Sequence, residues 1–76
     1  MASFNRITFD INIMGGKPCI RGMRVTVGMI IGLIASGYSY DVILKDYPYL
    51  EKEDIVESLS YAAWRVEEIE LPIVNS

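Results

Sequence analysis

Hydrophobic positions recur at different spacings along the chain, and each spacing names an element. The stretch Arg6-Ile7-Thr8-Phe9 is short, β-branched and aromatic, and reads as a strand. Three glycines and a proline between Gly15 and Gly22 mark tight turns in which the backbone needs positive φ. The segment Arg24-Val25-Thr26-Val27 either pairs with the first strand or leads directly into a helix. That helix is expected over residues 27–36, with Thr26 as its cap. Val27, Ile30, Ile31 and Ile34 fall on one side and Met29 and Leu33 on another, the pattern of a helix buried on several faces. Gly37 stops it as a left-handed C-terminal residue.

A second helix is expected over 39–47, capped by Ser39, with Tyr40, Ile43, Leu44 and Tyr47 as its apolar face. Pro48 disfavours helical geometry at Tyr47 and closes it. The third runs over about 51–68, with Ile55, Leu59, Ala62, Val66 and Ile69 as its core stripe. Glu51, Glu53 and Asp54 occupy its first turn, where carboxylates favour the positive end of the macrodipole. The tail, residues 69–76, contains the short apolar stretch Glu70-Leu-Pro-Ile-Val74, which Pro72 restricts to an edge strand or extended arm. The predicted fold is mainly α: a three-helix, helix-turn-helix arrangement with a small N-terminal β element and glycine-rich loop over 5–26.

At 76 residues the chain forms one domain, 1–76, with a marginal core. Yet 51% of its residues are hydrophobic and its mean hydropathy is +0.27, more apolar material than a small monomer can bury. This predicts a homodimer. Histidine is absent, which removes the commonest general base and zinc ligand together. Cys19 is the single cysteine and suits a reducing compartment. With no apolar run of about 18 residues and no secretory signal pattern, a cytoplasmic protein without a membrane span is expected.

The net charge of −3 hides an asymmetry. Residues 1–28 hold Arg6, Lys17, Arg21 and Arg24 against Asp10 alone, whereas residues 29–76 hold nine carboxylates against Lys45, Lys52 and Arg65.

The segment Gly15-Gly-Lys-Pro-Cys-Ile-Arg-Gly-Met-Arg-Val25 resembles the GGKPxIxGTRI-like hallmark of the prokaryotic family called domain of unknown function 433. Ile43-Leu-Lys-Asp-Tyr-Pro-Tyr-Leu-Glu-Lys-Glu-Asp-Ile55 and Ser60-Tyr-Ala-Ala63 resemble the same family's second motif. The resemblance covers about residues 5–66. It implies a homeodomain-like helical fold and a place in toxin–antitoxin pairs, as the antitoxin-like partner of a ribonuclease-type toxin. Met23 replaces the family's usual Thr, and Glu51 stands where a Thr or Ser cap is usual.

Lys17, Arg21 and Arg24 surround the loop glycines, so two readings stand: contact with an anion or DNA phosphate, or pairing with the acidic helices. A nucleotide-type phosphate loop is disfavoured because Pro18 follows Lys17 and has no N–H. Direct DNA reading by the third helix is also disfavoured, since Glu51, Glu53, Asp54 and Glu57 accompany only Lys52. The candidate nucleic-acid contacts are therefore Lys17, Arg21, Arg24 and Lys52. Tyr61 and Trp64 either anchor an interface or pack on the β element. Met29, Leu33, Leu71 and Ile73 complete the candidate interface. No catalytic, metal or cofactor residues are expected. The leading expectation is a non-enzymatic, dimeric, antitoxin-like partner; the alternatives are a DNA-binding regulator using the basic loop and a structural homodimer.

Overall fold

Residues 3–69 are described by the computed structural model. β1 (Ile7–Thr8) pairs antiparallel with β2 (Cys19–Ile20), Ile7 opposite Ile20 and Thr8 opposite Cys19. A short 3₁₀ turn, Met14–Gly16, lies between them. Three helices follow: α1 (Val27–Ala35), α2 (Tyr40–Asp46) and α3 (Lys52–Ile69). The predicted order therefore stands, with helix ends shifted by a residue or so.

The strand partner differs from the first alternative expected. The segment 24–27 contributes only a single bridge, Thr26 to Cys19, and then enters α1. The turn of residues 20–23 forces this. The Met23 N–H donates to the Ile20 carbonyl, and the two central residues, Arg21 and Gly22, have φ of 45° and 74°. Positive φ at both central positions is the type I′ signature, whose twist matches that of paired strands. Gly22 adopts it freely; Arg21 does so under strain.

Caps fall where the sequence puts them. Thr26 Oγ1 accepts from the Met29 N–H at 3.0 Å, and Ser39 Oγ accepts from the Val42 N–H at 3.2 Å. Gly37, with φ of 97°, ends α1 in the left-handed conformation. Tyr47 leaves helical geometry immediately before Pro48.

One buried cluster unites these elements: Ile7, Ile20, Val25, Val27, Ile30, Ile43, Leu50 and Ile55. Met29, Leu33, Leu44 and Leu59 are half-buried against it. The core stripe expected on α3 holds for Ile55 and weakens beyond it. Val66 and Ile69 are 54% and 61% exposed. The cause is length: α3 has 18 residues, about 27 Å, while α1 has nine, about 13 Å, so the partner helix cannot cover it all. α3 continues through Ile69, the last described residue, where the sequence places the start of the arm; the rest of that arm, with Leu71 and Ile73, lies outside the described residues. Among the described residues no helix is long and apolar enough to cross a membrane.

Since Thr26 satisfies a free N–H at the start of a helix central to the core, Thr26→Ala is expected to cost about 1 kcal/mol. Urea denaturation monitored by circular dichroism measures this as a lowered midpoint with an unchanged slope.

Candidate functional site

The first turn of α3 carries the densest polar arrangement of the described residues, and its centre is Asp54. This side chain is fully buried. A buried carboxylate is costly unless charge and hydrogen bonds compensate it, and an ionised one offers about four acceptor sites. All four are filled. Oδ1 accepts from Arg6 Nη1 at 2.9 Å and Arg21 Nε at 3.1 Å. Oδ2 accepts from Arg21 Nη2 at 2.8 Å and from the Glu51 backbone N–H at 2.8 Å.

Each donor is delivered by local structure. Arg6 and Arg21 flank the hairpin, joined by the Arg21 N–H donating to the Arg6 carbonyl at 2.8 Å. The type I′ turn aims the Arg21 guanidinium at the helix, where Nε and Nη2 grip both carboxylate oxygens as a fork. Nη2 also donates to the Tyr49 carbonyl at 2.9 Å, which fixes the turn before α3. Arg6 Nη1 reaches Glu51 as well, at 2.6 Å, and its backbone N–H donates to the Glu57 carboxylate.

Glu51 is a poor cap by composition, but the helix start is served from the other direction. Asp54, three residues on, accepts the Glu51 N–H, which is the returning half of a capping box. Ser58 Oγ closes the next turn on the Asp54 carbonyl at 2.7 Å.

Burial by itself would raise the pKa of Asp54; the hydrogen bonds from Arg21, the Glu51 N–H and Arg6 outweigh it and hold the group below its ordinary value. The bond to Glu51, followed by that to Asp54, raises Arg6, and the bond to Asp54 raises Arg21. The carboxylate thus stays charged with no lone pair left for a metal or a transferable proton. Its work is to clamp the β-hairpin, the 47–51 turn and α3 together.

Among the candidate anion contacts, Arg21 is ion-paired with Asp54 at the start of α3, its side chain remaining 36% exposed. Lys17 and Arg24 remain exposed on the loop, Arg24 Nη1 lying 4.0 Å from the Met14 sulfur. Lys52 is exposed between Glu51 and Glu53. Of the candidate interface, Trp64 and Tyr61 are half-buried against the aromatic residues flanking β1: Phe4 lies 5.3 Å from Tyr61 and 5.8 Å from Trp64, and Phe9 lies 6.1 Å from Tyr61. Arg6 and Asp54 were not among the residues the sequence singled out as a site. The signals that point to them are the Glu51–Asp54 capping spacing and the opposite charge of the two halves.

A family model described as "Protein of unknown function (DUF433)" matches residues 7–62. An uncharacterised protein, y4eO, from Sinorhizobium fredii is 36% identical over 56 residues. The match takes in 74% of this chain but only 25% of that relative's length. A crystal structure of a DUF433 member protein from Anabaena variabilis superposes with a TM-score of 0.77 at 28% identity, covering 86% of this chain and 64% of that one.

The clamp makes two measurable demands. Asp54→Asn keeps the shape but removes the charge that two guanidiniums face, at an expected cost of about 3 kcal/mol in urea unfolding. A carboxylate whose folded pKa is depressed adds stability above its unfolded pKa, here near 3.8, and loses it as pH falls through the lower folded value. Wild-type stability should therefore fall below about pH 4 with a one-proton component of about 1.4 kcal/mol per pH unit. Urea midpoints measured from pH 5 to pH 2 should show that component missing in Asp54→Asn.

Proposed function

The chain belongs to the DUF433 family, and from that premise we propose that it is a non-enzymatic protein-binding module, a homodimeric antitoxin-like partner of a ribonuclease-type toxin. The observation that carries this reading is the state of the first turn of α3. In a helix-turn-helix that reads DNA, this turn offers hydrogen-bond donors to base edges and tolerates the phosphates nearby. Here Glu51 and Asp54 hold Arg6 and Arg21 in ion pairs, so two of the four cations of the basic half are already engaged by carboxylates, although each keeps about a third of its side chain exposed. What faces outward on α2 and α3 includes Asp41, Asp46, Glu51 and Glu53, with Lys45 and Lys52 between them.

Such a surface suits a basic protein partner. Complementary charge steers encounter and fixes orientation, and a ribonuclease presents a cationic surface because it must hold a phosphate backbone. Lys17 and Arg24 remain on the loop as the basis of the rival, a DNA-binding regulator. Two isolated cations supply a weak and salt-sensitive attachment, without base readout.

Co-expression with the product of whichever gene lies adjacent tests the reading. The expected result is that the neighbour arrests growth, that this chain relieves the arrest, and that the purified pair co-elutes. The affinity of the pair should fall at raised salt and with Asp41→Lys plus Glu53→Lys. Isolated chain in gel-shift titrations should bind all duplexes weakly, with steep salt dependence. A harmless neighbour, together with tight binding to one short duplex that is lost in Lys17→Ala/Arg24→Ala, would replace this reading with the regulator.

A further inference from the structure

Beside the clamp, α1 and the second half of α3 leave an open groove of about 450 Å³ between them. Its walls are apolar: Val27 and Ile31 from α1, Ala62 and Val66 from α3, with Gly28 and Gly32 flattening the α1 side. Arg65 is the one charged side chain lining it, and among the described residues no carboxylate pairs with that guanidinium. Val66 in this wall is itself exposed, and just past the groove α3 runs on to exposed Ile69. The chain then continues Glu70-Leu-Pro-Ile-Val-Asn-Ser76.

We propose that this groove receives the C-terminal segment, residues 70–76, of a second copy of this chain, and that two copies exchange these arms reciprocally. The proposal rests on the homodimer of the preceding reading and gives it a location. Three observations support that occupant. The first is fit: Leu71, Ile73 and Val74 supply apolar side chains to an apolar trough, and Pro72 favours the extended form such a trough accepts. Seven residues span up to about 23 Å, more than the roughly 13 Å length of α1.

The second is charge. Glu67 and Glu68 lead into the segment and Glu70 opens it, so an incoming arm brings carboxylates to the groove that Arg65 of the receiving copy lines. The third is direction. α3 runs along the groove from Tyr61 to Val66 and on past it to Ile69, so a chain that continues in that direction leaves its own groove behind. No glycine, the residue that most readily takes a reversing turn, lies between Ile69 and Ser76. A two-fold arrangement satisfies both grooves at once and leaves no arm unpartnered.

A cysteine pair distinguishes the occupants. Gly32 faces open space where a side chain would project, so Gly32→Cys is tolerated, and buried Cys19 stays inert. Mild oxidation of the full chain carrying both Gly32→Cys and Ile73→Cys should give a covalent dimer on non-reducing gels. Peptide mapping should place its disulfide between the two introduced thiols, a linkage that neither single variant can form. Sedimentation equilibrium should show that truncation after Ile69, and independently Ile31→Lys, weaken dimerisation by roughly 100-fold or more with helical content retained. An intramolecular disulfide would mean that each arm fills its own groove and would overturn the exchange. A dimer unaffected by truncation would overturn it too, moving the interface elsewhere while the homodimer stands. A wild-type chain that stays monomeric at high micromolar concentration would overturn both.

Discussion

A carboxylate without solvent must find positive charge and a donor for every lone pair, and Asp54 finds both from three separate parts of the chain. Its position between β-hairpin and helix is what makes a two-residue sheet useful. Two short strands have little stability of their own, since each contributes a couple of ladder bonds. Anchored through Arg6 and Arg21, they become a lid on the apolar cluster that Ile7 and Ile20 complete. The strain of placing Arg21 at positive φ belongs to the same device. Arginine enters that region at a cost of about 1–2 kcal/mol, and the two-pronged contact with Asp54 is the interaction that keeps it there.

The same clamp shapes the surface chemistry. Pairing two partly exposed arginines with carboxylates offsets their charge at that point of the surface. The exposed carboxylates of α2 and α3, Asp41, Asp46 and Glu53 among them, are not drawn into that network. A small domain of the DUF433 family thus resolves its electrical asymmetry internally at one point and displays what remains. The apolar excess follows a similar logic. The core is closed around Ile30, Ile43 and Ile55, yet α3 outruns its neighbours and ends in exposed Val66 and Ile69.

Much of this is legible in the residues. Helix starts at Thr26 and Ser39, the stop at Gly37 and the break at Pro48 each follow from a local preference that the tertiary structure leaves intact. The strand pairing is less so, because it depends on a turn in which an arginine takes a conformation that favours glycine. The end of the α3 stripe is hidden for another reason. Periodicity marks Val66 and Ile69 as apolar but says nothing about how far the covering helix reaches. The clamp is half visible: a carboxylate three residues after Glu51 signals a helix start, but which arginines meet it is set by the hairpin, a long-range fact. Trp64 and Tyr61, balanced between core and interface by sequence alone, turn out to pack on Phe4 and Phe9, which precede and follow β1.

If Asp54 is what holds Arg21 in its strained turn, the value of that arginine must depend on the carboxylate. Arg21→Gly removes the ion pair and relaxes the positive φ in one step. Urea unfolding of Arg21→Gly in the wild-type and Asp54→Ala backgrounds compares the two effects directly. The expected result is a reversal: the substitution destabilises the wild type and stabilises the variant that already lacks the carboxylate. An equal loss of stability in both backgrounds would contradict the clamp.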